Sequence, residues 1–535
     1  MRQAQFTLFK KGRGALASEL LVKLRPYILL PFTFGLFAAL AAAADRVGGA
    51  ASDFWGPHYS VSQTVAAPSN LPSKKDRHVA EHLRHWNQVA IDASGLDHTP
   101  VAPGENRVFG EQVGPIRAAR AIAIVHIAMF EAVNAIDRSC KSYAGVAPAS
   151  ADASMNSAIA QAAHDTLCAL FPSQTPQFDS VLAQELALPP NGRPKKDGVV
   201  LGQRCAAKML ALRANDGSAY REPKVNIDFI PSNAPGMWRQ DPISQHPLAL
   251  GAYWGQVRPF VLQTGSQFRA APPPALNSAE YTAGYNEVKV LGGDGIITPT
   301  TRNDEQTEIG TFWAYDGTPA LCAPPRLYNQ ITMQIADQMG TSSDPVQLAR
   351  LLALVNTAMA DAGIASWESK FFYQYWRPIT GIRESDAGTG PTGYGDGNDA
   401  TAGDENFTPL GAPASNLAGP NFTPPFPAYP SGHAAFGGAL FETLRKFYGR
   451  DDIAFTFTSD EFNGVTHDHD GVVRPVVART FDSLSQAEEE NGQSRIYLGI
   501  HWTWDKTEGI KQGNRVADYV FASAFTPVKK KGKAR

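Results

Sequence analysis

Apolar positions recur at spacings of three and four along most of this chain, the period of α-helices with one buried face. The clearest run is Ile116, Ala119, Ile122, Ala123, Ile127, Phe130, Val133 and Ile136, opened by Pro115 in the first turn. The same period predicts helices over 154–170, 176–187, 195–215, 278–291, 303–314, 325–339, 346–376, 432–448, 474–499 and 504–523. One short helix near 77–93 interrupts an irregular arm over 45–110. Period-two alternation is rare, so the fold class expected is all-α, two packed helical bundles. A Pro-rich, partly aromatic stretch at 223–275 separates them, giving an N-terminal helical region at 45–275 and a C-terminal helical bundle at 276–525. Residues 385–425 are dominated by Gly, Asp, Asn and Pro and predict a long loop, of the kind that usually carries function. His126 and Glu131, on the helix opened by Pro115, are expected to be polar groups satisfied inside a bundle.

The two ends differ from this pattern. Residues 1–26 hold six basic residues against Glu19, and the apolar run Tyr27–Ala44 follows, closing on small residues. That order reads as a secretory signal over 1–44, with a retained N-terminal anchor as the alternative. The protein is therefore expected to be exported, periplasmic or secreted, with no stable membrane span in the mature chain. Lys529 to Arg535 form a basic, solvated tail, within a terminal segment taken as 526–535. Net charge is −3, and −8 once 1–44 are set aside, so nucleic acid is not an expected partner. The four cysteines, Cys140, Cys168, Cys205 and Cys322, are too few for a disulfide scaffold. They admit two disulfides by any of three pairings, or four thiols.

Three segments of the C-terminal half carry chemistry. In Lys370-FFYQYW-Arg377-Pro378 the two cations stand seven apart, two helical turns, on one face. In Pro430-Ser431-Gly432-His433 the serine is placed to cap an apolar helix, whose first N–H groups then suit an anion. In Ser494-Arg495-IYL-Gly499-I-His501-WTW-Asp505 an arginine and a histidine flank a glycine. Three fixed cations, neutral donors at Ser431 and the Gly432 N–H, and two titratable histidines are too many donors for a neutral substrate. They suit a tetrahedral oxyanion such as phosphate or vanadate, which arginine grips with two parallel hydrogen bonds. One histidine can then attack phosphorus or coordinate a metal oxide, and the other can move a proton.

These segments, in order and spacing, resemble the signature of the vanadium haloperoxidase and type-2 phosphatidic acid phosphatase superfamily: K-x6-RP, PSGH, then SR-x3-G-x-H-x3-D. The wider likeness, over about 301–506, is to vanadium chloroperoxidases of the fungal type. It rests on FWAYDG (312–317), PPRLYNQI (324–331), DAGIASWESK (361–370), PPFPAYPSGHAAFGGA (424–439) and SRIYLGIHW (494–502). The resemblance implies a haloperoxidase that uses hydrogen peroxide to oxidise chloride or bromide to a hypohalous-acid-type species, with small organic acceptors and a vanadate cofactor. It implies that His501 is the axial metal ligand. Lys370, Arg377, Ser431, Gly432 and Arg495 would hold the vanadate oxygens, and His433 would be the acid–base residue. Phe426 matches a position associated with chloride use, Trp367 would form the halide pocket, and Asp316 would orient Arg495. Asp505 would orient His501 or start a helix. The alternative on the same fold is a secreted acid phosphatase working through a phosphohistidine at His501.

Two further segments resemble metal sites weakly. Thr466-His-Asp-His-Asp470 reads as a polar loop, because its spacing fits no standard site. The acids of 396–405 lack the bidentate glutamate of a calcium loop, so calcium is not expected.

Overall fold

The structure, a computed structural model, describes residues 51–61 and 79–528. The expected signal or anchor at 1–44, the start of the helix expected near 77 and the basic tail at 529–535 lie outside them. Fourteen helices are present among the described residues. In chain order they are α1 (Ala51–Trp55), α2 (Val79–Asp97), α3 (Pro115–Asp137), α4 (Met155–Leu170), α5 (Thr175–Ala187) and α6 (Arg193–Arg213). The second half adds α7 (Ala279–Leu291), α8 (Asp304–Phe312), α9 (Pro324–Gln338), α10 (Pro345–Tyr373), α11 (Pro378–Arg383), α12 (Gly432–Tyr448), α13 (Leu484–Tyr497) and α14 (Thr503–Ser523).

The 19-residue α2 is longer than the short helix expected in the arm, because its polar positions His82, His85 and Asn87 are buried and partnered rather than solvated. The larger correction concerns 474–499. Its first part is not helix but strand β4 (Val476–Phe481), paired antiparallel with β3 (Phe455–Asn463). β3 alternates strictly, with Phe455, Phe457, Ser459 and Glu461 facing inward. A smaller pair joins β1 (Ser60–Val61) to β2 (Leu417–Ala418). The 466–470 segment is part of the connection between β3 and β4, and its His467 N–H donates to Asn416 at 3.0 Å.

α3 and α10 form the centre. Both are long and apolar enough to cross a bilayer by length and composition, which the expectation of no further apolar span passed over, and both are core helices here. α3 packs on α10 and α4, α4 on α6, and α10 on α12 and α14, so one hydrophobic core runs continuously across the boundary expected at 275. The Pro-rich stretch is tied to that core by Asp361 of α10, whose carboxylate accepts the N–H groups of Phe260, Val261 and Leu262 at 2.6–2.9 Å. His126 and Glu131 are satisfied as expected. His126 bonds Ile122 O and Asn87, and Glu131 accepts from Ser142, Tyr143 and Ala144. All four cysteines are free thiols. In the 385–425 loop, Asp396 accepts from Asn398 and Thr401, and Asp404 from Asn406, so these acids stabilise their own turns.

A close helix crossing positions the chemistry. α12 and α14 approach so tightly at Gly513 that a Cβ there would lie 2.2 Å from the Ala435 carbonyl oxygen and 2.7 Å from Ala439 N. Backbone cannot yield by that much. Gly513→Ala is expected to lower stability by about 3 kcal/mol, as overpacking does. A fall in the urea midpoint with an unchanged slope checks it.

Candidate active site

Five elements converge behind the N-terminus of α12. Lys370 lies in the last turn of α10, and Arg377 follows as the extended residue that precedes α11. Ser431 caps α12, accepting the Ala434 N–H at 3.4 Å, which puts Gly432 and His433 in the first turn. Arg495 ends α13, His501 sits in the connection to α14, and Asp505 is in the first turn of α14. All are buried, with Lys370, Arg377 and Arg495 at most 1% exposed.

The burial of three cations is only partly compensated. Lys370 Nζ donates to the carbonyls of Pro427 (2.8 Å) and Ala428 (2.9 Å). Arg377 donates to Phe426 O (2.9 Å) and Ile500 O (2.8 Å). Arg495 Nη2 grips both oxygens of Asp316, at 2.6 and 2.8 Å. Three buried guanidinium nitrogens then have no protein partner: Arg377 Nη2, Arg495 Nε and Arg495 Nη1. Orphaned charged donors inside a protein are costly and rare, and an anion is what satisfies them.

The two histidines are oriented by hydrogen bonds. His501 Nδ1 pairs with Asp505 at 2.8 Å, and its Nε2 lies 2.9 Å from Arg377 Nη1. Guanidinium only donates, so Nε2 presents a lone pair and Nδ1 carries the proton. That is the tautomer a metal ligand needs, with a carboxylate on the far nitrogen. His433 Nε2 donates to Ala314 O at 2.5 Å, and its own carbonyl is held by Tyr328 Oη (3.0 Å) and Asn491 Nδ2 (3.1 Å). Burial, followed by the neighbouring cations, pushes the pKa of His433, His501 and Lys370 well below the ordinary values. Burial pushes the Asp505 carboxyl up to about 7, against the Trp502 N–H and the charges of Lys370 and Arg377.

Trp367 and Phe426 stand beside the cations. Their ring centroids are 4.8 Å apart, and Lys370 Nζ lies 5.1 Å from the centre of the Phe426 ring. Gly432 faces the Trp367 ring so closely that a Cβ would lie 3.2 Å from it. A cleft reaches Asp316, Gly432, His433, Arg495 and His501. The eleven residues that the sequence assigns to this site, Asp505 included, therefore fall in one place.

Sequence reasoning missed part of the cleft. Phe54 and Trp55 of α1, His246 and Phe422 also line it. His246 packs edge-on against Phe54 at 5.2 Å, and Trp55 against Phe422 at 5.7 Å. These come from segments without periodicity, and no motif marks them. Also missed was the brace behind Asp316. Glu461 of β3 accepts the Tyr315 N–H at 3.1 Å while bonded to Ser415 and Arg474, which fixes the loop that aims Asp316 at Arg495.

The chain matches the VCPO second helical-bundle domain over residues 350–530. It is 30% identical over 523 residues to the vanadium chloroperoxidase of Curvularia inaequalis, covering 82% of this chain and 81% of that protein. Among solved structures it resembles a bacterial vanadium-dependent iodoperoxidase, with a TM-score of 0.65 and 23% identity over 86% of this chain and all of that one. A holo-type bacterial vanadium-dependent chloroperoxidase is similar at a TM-score of 0.59 and 16% identity, over 84% of this chain and 98% of that one.

Two outcomes are expected. Asp316→Ala frees Arg495 and should weaken orthovanadate binding about 10- to 100-fold, the usual loss when an orienting partner is removed, read by isothermal titration. Burial holds His246 at about 3 against 6.5 in an unfolded chain. The unfolded chain thus gains a proton below about 6.5 that the folded chain refuses. Stability relative to His246→Phe should fall by about 1.4 kcal/mol per pH unit from there toward pH 3, seen in paired denaturation curves.

Proposed function

The chain belongs to the vanadium-dependent haloperoxidases, enzymes that act on hydrogen peroxide and halide, and from that premise we propose that it oxidises chloride or bromide to a hypohalous-acid-type halogenating species at a vanadate ligated by His501. The observation that carries this is the set of three orphaned guanidinium N–H positions, on Arg377 and Arg495, gathered around a histidine whose Nε2 lone pair is fixed. Those atoms fit a tetrahedral oxyanion with one imidazole ligand.

Lys370, Arg377, Ser431, the Gly432 N–H and Arg495 would hold the vanadate oxygens, and His501 Nε2 would bind the metal. Bound vanadate supplies a Lewis-acidic centre of constant oxidation state that activates peroxide toward halide. The residues around it supply the rest. Lys370, kept among carbonyl dipoles at a buried site, stabilises negative charge that develops on oxygen as the peroxide bond breaks. His433 is held neutral by burial and nearby cations, so it can accept a proton when peroxide binds and return it. Asp505 keeps the His501 proton on Nδ1 and so keeps Nε2 unprotonated, its lone pair now accepting from Arg377 and usable by a metal. Asp316 holds Arg495 so that Nε and Nη1 face the anion rather than the carboxylate.

Phe426 and Trp367 form an apolar wall beside Lys370, where a weakly hydrated halide can sit with the ammonium as its counter-charge. The cleft beyond is lined by Phe54, Trp55 and Phe422 and would admit peroxide, halide and small organic acceptors. A phosphatase working through a phosphohistidine at His501 would use the same cage but has no use for that aromatic wall.

The test is halogenation of a dimedone-type acceptor by vanadate-free protein, with peroxide and chloride or bromide, before and after adding orthovanadate. Turnover should require vanadate, fall on adding phosphate, and vanish in His501→Ala. Phe426→His should lower the chloride-to-bromide ratio. Absence of turnover with both halides, together with vanadate-inhibited hydrolysis of a phosphomonoester, would place the chain with the phosphatases.

A further inference from the structure

Away from the cage, the N-terminal bundle carries a second cluster with ligand chemistry. His164 and Cys168 stand four apart on α4 and share one face. Asp179, in α5, comes to the same face after the turn at 171–174. His164 Nε2 is 2.8 Å from Asp179 Oδ1 and 3.4 Å from Cys168 Sγ. The three potential ligand atoms all lie within 4.8 Å of one another.

The other ring nitrogen is already committed. His164 Nδ1 is 2.8 Å from Asp165 Oδ1, which also accepts from Gln161 Nε2 at 2.7 Å. A carboxylate fixed by a neighbour and bonded to the far nitrogen is the arrangement that orients metal-binding histidines. An imidazolium bridging Asp165 and Asp179 accounts for the two carboxylates. The helix brings the Cys168 thiol to the same nitrogen, which completes a nitrogen, sulfur and oxygen donor set on one face.

We propose that His164 Nε2, Cys168 Sγ and the Asp179 carboxylate bind one divalent transition-metal ion, zinc by preference. A nitrogen, sulfur and oxygen donor set selects zinc over magnesium or calcium. Three protein ligands leave a fourth position for water, on the side where Asp179 is exposed. The ion clips α4 to α5 and so braces the bundle that packs on α3. Because the thiol and the imidazole lose protons on binding, affinity rises with pH.

The test uses the full chain, freed of metal by a chelator, without vanadate or peroxide, so its outcome is independent of the cage. Titration with Co2+ should give a thiolate-to-cobalt charge-transfer absorption that saturates at one equivalent and is displaced by Zn2+. Cys168→Ser should lose that absorption, and Asp179→Asn should bind Zn2+ at least tenfold more weakly, as a lost ligand costs no less than an outer-shell partner. Absence of the absorption in the wild-type chain overturns the site. So does an absorption that persists in Cys168→Ser, which would place the thiolate on another cysteine, or undiminished zinc affinity in Asp179→Asn.

Discussion

Three cations buried within one site set the terms for the rest of this molecule. Lys370, Arg377 and Arg495 are shielded from water, and a desolvated charge costs several kcal/mol unless it is compensated. The protein compensates in part. Peptide carbonyls from 426–428 and from Ile500 face Lys370 and Arg377, and one carboxylate, Asp316, faces Arg495. The compensation stops short of completion, and the unused donors all point to the same chemistry. A tetrahedral anion, as proposed above, would restore the balance.

That arrangement needs support at one remove. The N-terminus of α12 is held close to α14 by glycines. A Cβ at Gly509 would lie 2.8 Å from the Ser431 carbonyl oxygen, so the capping turn rests directly on the neighbouring helix. Tyr328 and Asn491 fix the His433 carbonyl, and Asp505 both orients His501 and accepts the Trp502 N–H at 3.1 Å. The β3–β4 hairpin braces the Asp316 loop through Glu461. Packing, helix capping and charge orientation therefore act on the same few residues.

Much of the site is legible in the sequence because each piece is local. Two cations at a two-turn spacing, a serine before a glycine and an apolar helix, and an arginine and a histidine around Gly499 are each set by short-range geometry. Phe54, Trp55, His246 and Phe422 are not legible, because they meet only through the fold and carry no periodic signal. The hairpin is hidden for another reason. The residues of β4 precede a true helix without a strong break, and the alternation of β3 covers nine residues only. The full length of α2 is hidden because its polar positions are buried through the fold, as His82 is against Glu185.

The central proposal is His501 Nε2 as the metal ligand within a cage of unused guanidinium donors. X-ray absorption at the vanadium edge, on protein loaded with orthovanadate and freed of excess by gel filtration, tests this directly. One vanadium should be retained per chain with an imidazole nitrogen bound to it, and that nitrogen should be lost in His501→Ala. Vanadium that is not retained, or is coordinated by oxygen alone in the wild-type protein, would contradict it.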